Sequence, residues 1–298
     1  MTDRTTLSAA IEASIRFLET TSHFESEHGE DSRNKWEGAW WQMCTLYEMG
    51  EVHRIPESAI LQAKKILQTR VWPLFVISKA NEPIREEDLN KWDCCHCELA
   101  MFYQILQAYG CDLDREMPWI RDWLLKHQLP DGGLNCDPDA YVHSRKSSIV
   151  STLPPLEAIL RYTNREFTER EKEFLDEGAR YLTEHRLVYS KSSGEIINDN
   201  WLKPCFPRFF EYDILRGLSF LNEWSWRRNK PLPKGIVEEA LEQLTPYWDG
   251  WNVRIGRQVW EAGGEWGGNT FELLEKLSGV GEGSEFLSRE IKKIDRPR

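Results

Sequence analysis

Residues 92 to 98, WDCCHCE, bring together three cysteines, a histidine and two acidic residues. Thiolate, imidazole and carboxylate are ordinary zinc ligands, and three protein ligands leave an open coordination position for chemistry. His143 precedes another apolar helical segment and adds a second imidazole. These residue types are therefore compatible with a zinc site. The alternative is that most of these thiols are buried as small apolar groups.

A second kind of chemistry needs no metal. A carboxylate such as Asp213 or Glu37, with a cysteine or histidine in a closed cavity, can carry out acid–base chemistry on an alkenol. The candidate catalytic residues are thus Asp93, Cys95, His143 and Asp213. The alternative for Asp213 is an ordinary ion pair with Arg208 or Arg216.

Helices must position these side chains, because apolar residues recur at helical spacing along the chain. Some helical segments are apolar on most faces and begin near residues 36, 92, 147, 212 and 269. Amphipathic, charged segments alternate with them, and an amphipathic helix covers a buried one. The repeat predicts an all-α single domain over residues 1–298, an α/α toroid of five to six inner/outer helix pairs. The predicted helices are 7–19, 36–50, 56–68, 92–110, 118–128, 147–163, 168–187, 212–224, 233–248 and 269–279.

The first turns of the inner helices would form one ring of polar and aromatic side chains around a central cavity. The alternative is that the polar members are helix caps and that the tryptophans fill space between helices. The candidate substrate-binding residues are Trp36, Glu37, Trp40, Lys146, Ser148, Arg208, Tyr212, Trp266 and Asn269.

Composition excludes several functions. The net charge of −11 argues against nucleic-acid binding, which needs clustered Lys and Arg. The seven cysteines are an odd number, which favours reduced thiols and a cytoplasmic protein. No apolar run reaches the roughly 18 residues that a membrane span requires, so no integral membrane segment is expected.

The segment Gln128-Leu129-Pro130-Asp131-Gly132-Gly133 resembles the QxxDGG repeat of the terpenoid cyclase and protein prenyltransferase superfamily. Trp248-Asp249-Gly250-Trp251 is similar to a degenerate second copy. The segment 206–218 looks like part of bacterial prenyltransferase-like proteins. The resemblance implies an α/α toroid with an aromatic-lined cavity for an isoprenoid or other apolar substrate. It also implies cyclisation, prenyl transfer or a related acid–base step.

The chain also departs from that superfamily's patterns. Leu134 replaces the usual aromatic residue after the two glycines, and neither a DxDD nor a DDxxD motif occurs. The β subunit of protein prenyltransferases is a better partial match, since it holds zinc with an Asp-x-Cys pair and a histidine. Asp93, Cys95 and His143 resemble that set, so the resemblance implies a zinc site at these three residues. A partner chain that completes the site stays open. The alternatives are a carbohydrate-active α/α barrel, which needs paired carboxylates, and a non-catalytic lipid- or partner-binding toroid.

Overall fold

The computed structural model describes residues 4–21, 36, 38–69, 95–261 and 269–294. The predicted all-α class is confirmed at this level, because these ranges are mostly helical. A two-residue strand β1 (Val253–Arg254) pairs antiparallel with β2 (Gly283–Ser284). The helices are α1 (Arg4–Thr20), α2 (Ala39–Met49), α3 (Glu57–Thr69), α4 (His96–Tyr109), α5 (Leu113–Glu116), α6 (Trp119–Lys126), α7 (Ile149–Tyr162), α8 (Glu169–Glu184), α9 (Ile214–Arg228), α10 (Lys234–Leu244), α11 (Glu272–Leu277) and α12 (Glu285–Ile294).

The helices are of the two kinds that the sequence predicts. In α4 every residue from His96 to Leu106 is buried, and α2 and α7 are buried along most of their length. In α8 the buried residues repeat along one face while charged side chains cover the other. A helix that is apolar on most faces must lie inside the molecule, whereas an amphipathic helix lies at its surface.

The buried helices lie beside one another in chain order. α2 packs against α4, α4 packs along α7, and α7 packs against α9. The amphipathic helices cover them: α8 contacts both α7 and α9, α10 contacts α9, and α3 and α6 contact α4. The N-terminal helix α1 contacts α2 and also α11, near the other end of the chain. The first turns of α4 and α7, which carry candidate site residues, are therefore on adjacent helices.

Some element boundaries differ from the sequence prediction. Helix α8 ends at Glu184 because Arg186 and Leu187 adopt positive φ angles of 43° and 68°. Helix α9 runs on to Arg228 and is closed by Asn229 in the left-handed conformation. Helix α12 was not predicted, although its Leu287 and Ile291 are buried and it packs on α9.

A buried ion pair joins α7 to α9. The guanidinium of Arg216 donates from Nε to Glu157 Oε1 at 3.1 Å and from Nη2 to Glu157 Oε2 at 2.6 Å. Its Nη1 donates to the carbonyls of Phe209 and Glu211 at 3.1 and 2.8 Å. Arg161 lies 3.3 Å from the same glutamate. The charges are therefore compensated inside the protein, which a buried charge requires.

The QxxDGG segment is a clamp between three helices. Gln128, just after α6, donates from Nε2 to the carbonyls of Gly132 and Phe174, both at 2.8 Å. Asp131 accepts from the backbone nitrogen of Ser147 at 2.9 Å and from its hydroxyl at 2.5 Å. Because Phe174 lies in α8 and Ser147 precedes α7, the motif fixes where α6, α7 and α8 meet.

Gly132 is required at its position for two reasons. Its φ of +99° is a conformation that residues with a side chain rarely adopt, and a Cβ there would lie 2.4 Å from the carbonyl oxygen of Glu177. We expect Gly132→Ala to lower the free energy of unfolding by more than about 1 kcal/mol, measured by urea denaturation.

The matched control is Gly110→Ala. Gly110 has a similar φ of +109°, but a Cβ there would meet nothing within 4 Å. In this control, the loss in free energy of unfolding comes only from placing alanine at a positive φ angle. Equal losses in the two variants would mean that the close approach to α8 contributes nothing.

Candidate metal centre

Three cysteine sulfur atoms meet where α4 begins. The Sγ atoms of Cys95 and Cys97 are 3.4 Å apart, and those of Cys97 and Cys136 are 3.6 Å apart. All three sulfurs lie within 4.8 Å of one another. Among the described residues this is the group of histidine, cysteine and acidic side chains that could hold a metal ion. We call these three residues the thiol cluster.

Two segments deliver the thiols. Cys95 is the N-cap residue of α4 and Cys97 lies in its first turn. Cys136 lies in the loop between the QxxDGG turn and α7, and its backbone nitrogen donates to Ser151 Oγ at 3.1 Å. Ser151 belongs to the first turn of α7, so the contact between α4 and α7 brings the loop to the start of α4.

His96 supports the loop from the side. Its Nδ1 accepts from Trp123 Nε1 at 3.1 Å, so Nε2 carries the proton and donates to the Tyr141 hydroxyl at 2.9 Å. That hydroxyl accepts from the backbone nitrogen of Asn135 and donates to its carbonyl, at 3.1 and 3.0 Å. Burial lowers the pKa of His96 to about 3, so the ring is neutral. His96 therefore positions Asn135, the neighbour of Cys136, with both ring nitrogens already engaged.

The electrostatics of the thiol cluster favour a cation. The hydrogen bond between the Cys95 and Cys136 side chains, with a second from Cys97, holds the pKa of Cys136 well below its usual value. Hydrogen bonds to Cys136 and Cys97, together with burial, raise the pKa of Cys95 well above its usual value. The Cys136 thiolate thus forms easily, whereas the Cys95 thiol resists ionisation while it shares that charge. A metal cation would replace those protons.

The predicted zinc ligands are only partly brought together. Cys95 belongs to the thiol cluster, whereas Asp93 lies outside the described residues. His143 is exposed on a π-helical turn, Ala140–Ser144, and is not in the group. In the thiol cluster Cys95 is joined by Cys97 and Cys136, which were not among the predicted zinc ligands. The signal for Cys97 was present in WDCCHCE, but Cys136 is 39 residues further along the chain.

Asp213 serves as a helix cap and ion-pair partner. It is fully buried, and its carboxylate accepts from Arg208 Nε and Nη2 at 2.7 and 3.0 Å. It also accepts from the backbone nitrogens of Arg216 and Cys205 at 2.9 and 3.1 Å. Burial raises its pKa, but the Arg208 charge and these hydrogen bonds outweigh burial and hold the pKa below its usual value. With the Cys205 Sγ at 3.5 Å as a fifth donor, the carboxylate is engaged as a structural group rather than poised as an acid or base.

The predicted substrate-binding residues have different structural roles. Arg208 also pairs with Glu290 at 2.7 Å, and the Tyr212 hydroxyl donates to the carbonyl of Leu187 at 3.0 Å. Ser148 caps α7, while Lys146 and Asn269 are exposed. Glu37 and Trp266 lie outside the described residues.

The two described tryptophans of that set are buried among aromatic rings. Trp36 lies with its ring centroid 4.6 Å from that of Trp41, and Trp40 lies 4.1 Å from Phe102 of α4. The Trp40 indole nitrogen is buried and has no hydrogen-bond partner in the described part of the chain. An unsatisfied buried donor is costly, which makes this nitrogen a candidate contact for a bound molecule.

Glu48, near the end of α2, is a functional-looking group that the sequence analysis missed. Its carboxylate accepts from the backbone nitrogens of Arg208 and Phe209 at 2.8 and 2.5 Å, and Phe209 has a positive φ of 57°. Burial raises its pKa to about 7, against the opposing charges of Arg216 and Arg208. A glutamate in the last turn of an otherwise apolar helix is the sequence feature that marks it.

Comparison with known proteins adds no family to this description. No protein-family model, no curated protein and no solved structure matches the chain. Separately, no helix in the described ranges is both long enough and apolar enough to cross a membrane.

Removing the Tyr141 hydroxyl should loosen the loop that carries Cys136. Tyr141→Phe leaves the His96 N–H and the Asn135 backbone groups without their partner, and we expect a loss of about 1–3 kcal/mol in unfolding free energy. Thermal and urea denaturation measure it. Tyr109→Phe is the control, because the Tyr109 hydroxyl makes no hydrogen bond within the described ranges. Similar losses in both variants would contradict the bridging role.

Glu48→Gln should change how stability depends on pH. Because the folded pKa of Glu48 is raised to about 7, its stabilising contribution is present at low pH and is lost as the pH rises through 7. We expect the variant to gain stability relative to wild type between pH 5 and 7, by at most about 1.4 kcal/mol per pH unit. Urea denaturation across that range measures it. Glu195→Gln, at an exposed carboxylate, should leave the profile unchanged, and a flat difference for Glu48→Gln would refute the assignment.

Proposed function

We propose that the protein is an enzyme that acts on an apolar, isoprenoid-like substrate with the help of a zinc ion held by Cys95, Cys97 and Cys136. The observation that carries this proposal is the approach of the three sulfurs, at 3.4 and 3.6 Å, where the buried helix α4 begins. The reaction class is cyclisation, prenyl transfer or a related acid–base step, as the QxxDGG resemblance implies. The spacing of the three sulfurs supports the zinc ion in this proposal.

The donor set fits zinc. Tetrahedral ligation with zinc–sulfur bonds of about 2.3 Å places neighbouring sulfurs about 3.8 Å apart. The two sulfur–sulfur distances of 3.4 and 3.6 Å in the thiol cluster are close to this value. Three soft sulfur donors favour a thiophilic ion over magnesium or calcium. Three protein ligands also leave a fourth position for a substrate or water, which is the arrangement of catalytic rather than structural zinc.

The residues around the cluster have defined roles in this proposal. Zinc would supply Lewis-acid activation of the group bound at its open position. Ser151 and Tyr141 hold the loop of Cys136, so the three sulfurs keep their spacing. Neutral His96 supports them without adding charge next to the cation.

The proposed substrate would lie against the aromatic side chains of the neighbouring buried helices. Trp40 of α2 and Phe102 of α4 are in contact, and aromatic faces favour apolar chains and developing positive charge. The buried Trp40 nitrogen would donate to a polar head of the substrate. An isoprenoid alcohol or diphosphate has both parts, an apolar chain and a hydrogen-bonding head.

The architecture proposed for this enzyme is the α/α toroid. Its support is that α2, α4, α7 and α9 follow one another side by side, with amphipathic helices packed outside them. The contact of α1 with both α2 and α11 places the first helix beside one from near the other end of the described chain, as closure of a ring requires.

Metal analysis tests the proposal. We expect about one zinc per chain in protein prepared in zinc-containing medium, and loss of most of it in Cys95→Ala, Cys97→Ala and Cys136→Ala. Cys111→Ala is the matched control, since Cys111 is a partly buried thiol outside the cluster. His143→Ala should keep its zinc. The zinc content of Asp93→Asn tests whether Asp93, which was also a predicted ligand, contributes to zinc binding.

Turnover tests the catalytic part. An isoprenoid diphosphate or alcohol should be converted by the zinc-loaded protein, and a chelator should abolish conversion until zinc is restored. Zinc that stays bound in all three cluster variants would refute the ligand set. Zinc binding without turnover of any isoprenoid would leave a metalloprotein and refute the enzyme assignment.

A further inference from the structure

We propose that peroxide converts the thiol cluster into a disulfide between Cys97 and Cys136, which removes two of the three metal ligands. The cluster is then a redox-sensitive modification site as well as a metal centre. The release of zinc rests on the function proposed above, whereas formation of the disulfide does not. The two parts can be tested separately.

Two sulfur pairs lie close enough to bond, Cys95–Cys97 at 3.4 Å and Cys97–Cys136 at 3.6 Å, and the second includes the more exposed residue Cys136. The Sγ atoms of Cys97 and Cys136 are 3.6 Å apart, and a disulfide bond is about 2.0 Å long, so a shift of about 1.6 Å closes the bond. Cys97 lies in the first turn of α4 and Cys136 in a loop held against α7. A bond between them joins two segments that already touch.

Access differs among the three thiols. Cys95 and Cys97 are 5 % and 6 % exposed, whereas Cys136 is only partly buried. Because Cys136 is the more exposed residue of the pair, we assign the first reaction with hydrogen peroxide to it. Cys97, 3.6 Å away, is placed to act as the resolving cysteine.

The loop that carries Cys136 is held by hydrogen bonds that do not involve the cluster sulfurs. The backbone nitrogen of Cys136 donates to Ser151, and its neighbour Asn135 is bound twice by the Tyr141 hydroxyl, which in turn meets His96. None of these hydrogen bonds uses a cluster sulfur. The two thiols consequently remain adjacent in the metal-free protein, so the reaction needs no rearrangement of the fold.

The reaction balances with peroxide as the oxidant. The thiolate of Cys136 attacks one peroxide oxygen, the O–O bond breaks, and hydroxide leaves, giving a sulfenic acid. The Cys97 thiolate then attacks that sulfur, the S–S bond forms, and a second hydroxide leaves. The two sulfurs lose two electrons in total, and the peroxide becomes two water molecules after protonation.

The experiment treats both zinc-loaded and metal-free protein with hydrogen peroxide. In both, we expect the intact mass to fall by two hydrogen atoms, and fragment sequencing of the digest to join Cys97 to Cys136. Zinc, followed with a chromogenic chelator, should leave the loaded protein in step with the cross-link. A dithiol reductant should restore the mass and allow zinc to rebind.

Variants separate this site from other thiols. Metal-free Cys136→Ser should form no cross-link at Cys97, whereas Cys111→Ser should react like wild type. Cross-linking of Cys136 to any cysteine other than Cys97, or oxidation of Cys111 while the cluster stays reduced, would overturn the proposal. If the protein never binds zinc, the proposed function is refuted. The presence or absence of the Cys97–Cys136 disulfide in that same protein would still confirm or refute the disulfide proposal.

Discussion

The contact between α4 and α7 is the interaction on which the candidate site depends. Both helices are buried along most of their length, so they can pack closely with little polar surface between them. Their first turns then lie together, and each brings part of the site: Cys95 and Cys97 from α4, and the Ser151 hydroxyl from α7. Cys136 is a member of the cluster only because its loop is fixed to the second of these helices. The chemistry at the cluster is thus a consequence of helix packing rather than of any local motif.

The sequence predicted the helices well because burial leaves a strong periodic signal. Segments such as 92–110 and 147–163 are apolar on most faces, and they became α4 and α7. Helix α12 was missed although its buried residues Leu287, Ser288 and Ile291 lie on one face at helical spacing, because charged residues make up much of the rest of the segment. Boundaries shifted where a residue such as Leu187 or Asn229 leaves the helical conformation, which apolar spacing does not report.

The site was predicted less completely than the fold, for a physical reason. Residue type and spacing identified Cys95, but spacing cannot show that a thiol 39 residues beyond Cys97 returns to it. The same limit explains Asp213, which looked like a catalytic acid and is engaged by Arg208 and two backbone nitrogens. Gln128 and Asp131 were singled out as part of a motif, and in this structure they connect helices. A sequence shows which groups are available, while three-dimensional packing decides which of them remain uncommitted.

The ion pair between Arg216 and Glu157 has a consequence for the alignment of α7 and α9. Apolar helices can slide past one another at modest cost, because one aliphatic contact replaces another. A buried, two-pronged guanidinium–carboxylate pair permits one alignment only, since a displacement of a single residue turns each side chain by about 100° and separates the charges. The Arg216–Glu157 pair therefore fixes the axial register of α7 relative to α9.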